Sequence, residues 1–143
     1  MQTVIVFYLD KQPFALSIDD IREIVLTPPI TPLPLAPAYY CGVANVRGKV
    51  LAIVDLATQF GIKQDEIGDN RTFTLVISHD THAVGFRIQE MPYTLSVQDE
   101  QIENAPSLAQ DALMQCCKSL IKHEKELIVW LDLAKLLVVE NVF

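Results

Sequence analysis

The chain has 143 residues, of which half are hydrophobic and 20% are charged, and its net charge is −7 at pH 7. This length is close to that of one domain, and the composition excludes a disordered tail or a collagen-like chain. The acidic balance argues against a protein that coats nucleic acid or an anionic membrane surface, because both need clustered positive charge.

The N-terminal and cysteine patterns predict a cytoplasmic protein. The first ten residues have neither a basic region nor a cleavage site, so no signal peptide is expected. No apolar run reaches the roughly 20 residues that a membrane span needs. Cys41, Cys116 and Cys117 are an odd number, and adjacent cysteines rarely bridge each other, so we expect three reduced thiols.

The first quarter of the chain has the pattern of a hairpin. Residues 4–9 form a β-branched and aromatic run, and residues 14–18 alternate apolar with small or polar side chains. A turn is expected between them at residues 10–13. Residues 19–25 predict one helical turn that runs into a short strand, because an acidic start suits a helix N-terminus.

Residues 27–37 hold five of the eight prolines. Proline cannot donate to a β-ladder, so this segment is expected to be an extended connector. The favoured interpretation is a rigid crossing at the surface. The alternative is a proline-rich ligand for an aromatic-lined groove on another protein.

A second hairpin is expected after the proline-rich connector. Residues 42–46 and 49–54 have strand patterns, and Arg47 and Gly48 form the turn between them. A short helix follows, with Asp55 as its N-cap and Gly61 as its C-terminal stop.

The second half of the chain is also rich in strand patterns. A helix with Ser107 as its cap is expected at residues 107–115, and another begins at Asp132. The strands are predicted at residues 72–78, 83–88, 116–121 and 126–131, with weaker patterns at 93–97 and 100–105.

The two halves resemble each other at a shift of 77 residues. Val50–Ala57 aligns with Leu127–Ala134, and each segment is a strand followed by Asp-Leu-Ala. Chance can produce such a match between apolar strands, but the identical tripeptide favours a duplication. We therefore expect a single domain over residues 1–143, with repeat units at 1–68 and 72–140 that form two small barrels with a shared or facing core.

Little in the sequence is arranged for catalysis or metal binding. His79 and His82 are three residues apart on a predicted turn, and no further ligands complete a metal site around them. Cys116 and Cys117 have no basic cluster beside them that would lower a thiol pKa, so we interpret them as core thiols. We expect no cofactor and no metal.

Arg47 is the unusual residue of the chain. An arginine before a turn glycine is most often a solvated side chain. Here two apolar strands flank it, and Glu23 offers a carboxylate on what we expect to be a neighbouring strand. A guanidinium fixed in this way suits a bidentate contact.

At this point the sequence resembles the CheW-like domain family of bacterial chemotaxis adaptors. The resemblance covers nearly the whole chain in order, and the Gly-Val-x-Asn-x-Arg-Gly segment is its most specific part. The matching residues are Phe7-x-Leu9 with Phe14-Ala15-Leu16, Ile21-x-Glu23-Ile24, Thr31-Pro32-Leu33-Pro34, Gly42-Val43-x-Asn45-Val46-Arg47-Gly48, Ile53-Val54-Asp55-Leu56, Ala83-Val84-Gly85-Phe86 and Leu131-Asp132-Leu133.

The resemblance implies a mainly β fold of two five-stranded SH3-like barrels packed together, with a few short helices. It implies a non-enzymatic adaptor that links the cytoplasmic tip of chemoreceptors to the regulatory domain of a CheA-type histidine kinase. The protein would be cytoplasmic and recruited to membrane-associated receptor arrays, without nucleic-acid binding or membrane insertion. The partner-binding residues that it implies are Glu23, Ile24, Asn45, Val46, Arg47, Gly48, Val84 and Phe86.

Some positions depart from the family pattern. Ala52 replaces the usual proline, Ile88-Gln89-Glu90 replaces a Val-Asp pattern, and residues 122–126 replace a glycine-rich turn. These differences leave open a divergent member of the family, either an adaptor for pilus or surface-motility signalling or the adaptor half of a CheV-like protein. Two alternatives of other classes also remain: a small SH3-like binding module of unrelated function, and an enzyme that uses a metal or a thiol.

Overall fold

The computed structural model describes residues 1–64, 71–77, 84–105 and 115–140. Residues 107–114 of the predicted helix 107–115 and the histidine turn at residues 79–82 lie outside the described residues. The elements in chain order are β1 (Gln2–Leu9), β2 (Gln12–Ser17), β3 (Ile21–Leu26), β4 (Tyr40–Val46), β5 (Lys49–Asp55), α1 (Leu56–Gln59), β6 (Phe73–Ile77), β7 (Val84–Ile88), β8 (Tyr93–Val97), β9 (Ile102–Asn104), β10 (Cys117–His123), β11 (Glu126–Leu131) and α2 (Leu133–Glu140). Short 3-10 turns precede β3 at Ile18–Asp20 and β9 at Asp99–Gln101.

These elements form two compact units. The first unit contains Met1–Asp20 and Pro92–Phe143, and the second contains Ile21–Met91. Their boundaries differ from those of the sequence repeat, because β2 pairs in parallel with β11 and so joins the two ends of the chain in one sheet. The duplication at residues 1–68 and 72–140 concerns sequence and stays a prediction.

The strands of the two sheets follow the same spatial arrangement, apart from one additional strand at the end of the first sheet. The first unit has the order β8-β1-β2-β11-β10-β9, and the second has β3-β6-β7-β5-β4. In each unit the strand that leads into a helix pairs in parallel with the second strand of a hairpin, as β11 with β2 and β5 with β7. The mainly β prediction is confirmed, but the first sheet has six strands because the short β9 adds to β10.

Trp130 is the centre of the core of the first unit. Its side chain is 1% exposed, and it packs with Val4, Ala15 and Ile128. The indole N–H donates a hydrogen bond to Ser17 Oγ at 3.1 Å, so the one polar atom of the ring is satisfied. The sequence repeat at a shift of 77 residues predicts that Ile128, Trp130 and Leu133 lie in the core of the second repeat unit, and their burial in the core is confirmed.

Truncation of the Trp130 ring tests how much its burial contributes to the free energy of unfolding. Trp130→Ala should lower the free energy of unfolding by about 3–5 kcal/mol, because a buried ring leaves a cavity. Trp130→Phe, which keeps a ring and loses the indole donor, should be distinctly less destabilised. Chemical and thermal denaturation of both variants measure this. An alanine variant whose melting temperature lies within a degree of the parent's would contradict the prediction.

Aspartates begin both helices, as predicted. Asp55 Oδ1 accepts a hydrogen bond from Thr58 N at 3.2 Å, and Asp132 Oδ1 accepts one from Lys135 N at 3.3 Å. Gly61 follows α1 with φ +72°, so it ends that helix. In the described part of the chain, no helix is both long and apolar enough to span a bilayer.

One predicted turn is shorter in the structure than expected. The turn of the first hairpin is formed by residues 10 and 11, and Pro13 lies inside β2 opposite Tyr8. In a hairpin with a two-residue turn, the residue pair that closes the turn is hydrogen-bonded and the next pair is not. Tyr8 and Pro13 are that next pair, so the ladder with β1 needs no N–H group from Pro13. The ladder with β11 begins only at Phe14.

The proline-rich connector is fixed against β4. Thr31 exchanges two backbone hydrogen bonds with Val43, at 2.8 and 2.9 Å. Gly42 permits this approach, because its φ is +139° and a Cβ there would collide with the carbonyl group of Thr31. This contact favours a rigid crossing over a free proline-rich ligand. At its outer tip, Leu35 is fully exposed in the left-handed region at φ +63°.

The conformation of Leu35 predicts a stabilising substitution. A leucine in the left-handed region costs about 1–2 kcal/mol, and asparagine visits this region more readily. Leu35→Asn should therefore raise the free energy of unfolding by about 1 kcal/mol without loss of core contacts. Leu33→Asn is the matched control, because Leu33 is also exposed but has a negative φ. Equal effects of the two substitutions in chemical denaturation would contradict the prediction.

Candidate functional site

The hairpin between β4 and β5 turns in two residues. Val46 pairs with Lys49, and the residues between them, Arg47 and Gly48, have φ of +53° and +83°. Positive φ at both positions is the pattern of a type I′ turn, which matches the twist of the strands. The Asn45 side chain fixes the turn, because its Oδ1 accepts a hydrogen bond from Gly48 N at 3.0 Å.

Arginine is an unfavourable residue at the first position of this turn. Asparagine, aspartate and glycine are the usual choices, because they tolerate positive φ. A side chain such as that of Arg47 costs about 1–2 kcal/mol in the left-handed region. The turn by itself therefore gives no reason for an arginine at position 47.

Arg47 forms an ion pair with Glu23 of β3. Its Nε donates to both carboxylate oxygens, at 2.9 and 3.0 Å. The arginine side chain is 78% exposed and the glutamate 23% exposed. Exposed pairs of this kind contribute about 0–1 kcal/mol, so the pair does not outweigh the conformational cost of the turn.

The sequence placed Glu23 on a neighbouring strand, and the structure corrects this. β3 and β4 stand at opposite ends of the strand order of the second sheet. The Arg47–Glu23 contact therefore links the two end strands, which requires a strongly curved sheet. A bulge between Ile21 and Glu23 at the start of β3 sets the direction of the glutamate side chain.

A small groove surrounds this ion pair, with a volume of about 220 Å³. We call it the Arg47 groove. Its charged lining consists of Arg22, Glu23, Arg47 and Lys49. Its apolar floor consists of Val46, Leu51 and Val76. Leu51 and Val76 are 4% exposed and belong to the core of the second unit, so the floor is rigidly supported.

The other predicted partner-binding residues are not all in this groove. Ile24 is 37% exposed and points to the face of β3 opposite to Glu23, because side chains alternate along a strand. Val84 and Phe86 of β7 are both 0% exposed. They are core residues, so their side chains do not reach a partner in this structure, and we leave them out of the candidate surface.

A second ion pair escaped the sequence analysis, which assigned Asp55 to helix capping alone. Asp55 also accepts a hydrogen bond from Arg87 Nη2 at 2.8 Å, with side chains only 18% and 33% exposed. Burial is the largest single influence and lowers the pKa of Arg87, but the hydrogen bond and charge of Asp55, together with the nearby Cys41, outweigh it, so the net pKa is raised. The two residues meet because β5 and β7 pair in parallel, a register that no local pattern announces.

This double role predicts different effects at the two helix caps. Asp55→Asn keeps a capping oxygen but leaves Arg87 half-buried without its carboxylate, which should cost about 1–3 kcal/mol. Asp132→Asn should change stability by about 0.5 kcal/mol or less, because asparagine and aspartate cap equally well. Thermal and chemical unfolding compare the two variants, and equal losses would show that the ion pair contributes nothing.

The thiols have the environment of core residues. Cys116 and Cys117 are 0% and 5% exposed, as predicted. Burial raises the pKa of Cys117, and burial likewise raises the pKa of Cys41, whereas a nucleophilic thiol needs a lowered pKa. Among residues that the structure describes, no three histidine, cysteine or acidic side chains are grouped to hold a metal ion.

Comparisons with known proteins agree with this architecture. The family model described as "CheW-like domain" matches residues 3–141. A "Probable chemotaxis protein CheW" of Rhizobium etli is 32% identical over 93% of this chain and 85% of its own length. A "Chemotaxis protein CheW" of Rhizobium meliloti is 33% identical over 91% of this chain and 83% of its own.

A solved structure shows the same fold. The crystal structure of "scaffolding protein TtCheW" from Thermoanaerobacter tengcongensis superimposes with a TM-score of 0.80 and covers 91% of this chain and 83% of its own. Its sequence identity to this chain is 22%, so the likeness concerns the fold.

Proposed function

Because this chain belongs to the CheW-like domain family, we propose that it is a non-enzymatic adaptor of a cytoplasmic chemosensory array. In this proposal it links the tips of chemoreceptors to the regulatory domain of a CheA-type histidine kinase. The names of its relatives as chemotaxis proteins support the pathway. Their similarity extends over most of both chains.

The observation that carries the proposal is the conformation of Arg47. The side chain is 78% exposed at the tip of a hairpin, in a backbone region that disfavours arginine. Its ion pair with Glu23 contributes too little stability to explain the residue. A strained and exposed charged residue on a rigid hairpin is typical of a binding contact.

Each residue of the groove has a separate role in this proposal. Arg47 contacts the partner, and Glu23 is a positioning residue that holds the guanidinium through Nε. Asn45 and Gly48 keep the turn in the geometry that presents Arg47. Val46 supplies apolar contact beside the charge. Ile24, on the other face of β3, would belong to a separate contact.

A charge exchange tests the role of Arg47 and Glu23. Arg47→Glu should weaken binding to the cognate kinase regulatory domain or to a receptor tip by tenfold or more. A charged group left unpaired in an interface costs about 2–5 kcal/mol, whereas the exposed pair contributes little to folding. The melting temperature should stay near that of the parent. Calorimetric titration and thermal melts of each single variant and of the exchanged double variant measure this.

Lys125→Glu is the control, because it makes the same change of charge at an exposed hairpin turn of the first unit. Its binding should equal that of the parent. Parental affinity of Arg47→Glu for both partners would reject the proposed contact. Loss of cooperative unfolding in both single variants would instead show that the ion pair has a structural role.

A further inference from the structure

We propose that the Arg47 groove binds a carboxylate side chain of an acidic segment on the protein partner. This inference deepens the proposed function, on which it rests for the existence of a partner. It assigns the chemistry that the groove recognises. Arg47 supplies the direct contact, and Arg22 and Lys49 supply the surrounding positive charge.

The guanidinium of Arg47 is only partly used within the chain. Both hydrogen bonds to Glu23 come from Nε. Within the described residues, the two Nη nitrogens have no partner, and the side chain is 78% exposed. Paired terminal nitrogens of an arginine bind a carboxylate with two parallel hydrogen bonds. Glu23 therefore fixes the guanidinium and leaves its binding edge toward solvent.

The charge around the groove favours an acidic ligand. Three cations and one carboxylate line it, in a chain whose net charge is −7. Arg22 and Lys49 are exposed, and neither has an ion-pair partner in the part of the chain that the structure describes. A local positive region of this kind steers an acidic partner to one place on an otherwise acidic protein.

The size of the groove and its apolar floor favour a carboxylate side chain over inorganic anions. The volume of about 220 Å³ is below the roughly 300–1,000 Å³ of ordinary small-molecule pockets. The apolar floor suits the methylene groups of a glutamate or aspartate side chain. An inorganic phosphate has no methylene groups, so it would contact the charged side chains of the groove and make no use of its apolar floor.

An acidic peptide of defined sequence tests the inference without the natural partners. The full chain, labelled with nitrogen-15, is titrated with capped hexaglutamate at low salt, and its NMR signals are followed. We expect saturable shifts of the Arg47 Nε and the Arg47 and Gly48 amides. Arg47→Gln should weaken binding, with a dissociation constant raised by tenfold or more. Arg22→Gln and Lys49→Gln should each weaken it about threefold, and binding should weaken as salt rises.

Three outcomes would overturn the inference. One is equal binding of hexaglutamate by Arg47→Gln and by Lys125→Gln, the control that removes a lysine from the first unit. Another is a set of shifts centred elsewhere on the chain. The third is the finding that inorganic phosphate, at matched ionic strength, shifts the same NMR signals at a lower concentration than hexaglutamate does. The peptide titration contains neither kinase nor receptor. A failure of the chain to bind hexaglutamate would therefore not contradict the adaptor function. A failure to bind kinase or receptor would likewise not contradict the binding of the peptide.

Discussion

Parallel pairing next to an aspartate-capped helix is the interaction on which both units depend. In each unit, the strand that enters the helix lies in parallel beside the second strand of a hairpin, as β11 beside β2 and β5 beside β7. Neither pairing joins sequence neighbours by a tight turn. The pairing of β11 with β2 brings the two ends of the chain into one sheet, and that of β5 with β7 places Asp55 beside Arg87.

The curvature of the second sheet creates the groove. Because the sheet brings its end strands β3 and β4 close to each other, a hairpin tip and an edge strand meet around Arg47 and Glu23. The buried floor beneath them is part of the core, so the charged side chains stand on a rigid base. In the proposed function, stability and binding are therefore divided between different residues of the same hairpin, and Asn45 and Gly48 stabilise the turn.

The two ion pairs of the second unit illustrate this division. Arg87–Asp55 is largely buried, joins two central strands and also caps a helix, so its loss affects folding. Arg47–Glu23 lies at the surface and joins the end strands, where solvent weakens its contribution to stability. The same pair of chemical groups thus joins buried strands in one place and holds an exposed guanidinium at the surface in the other.

Local patterns in the sequence determined most strands, both aspartate caps, the Arg47–Gly48 turn and the buried Trp130, because these depend on alternation, capping and turn chemistry within a few residues. The tertiary structure alone decided the grouping of the chain into units, the Asp55–Arg87 pair and the burial of Val84 and Phe86. Each of these follows from the register of strands far apart in sequence. Alternation identifies a strand and its faces, but only the assembled sheet determines which neighbours cover each face.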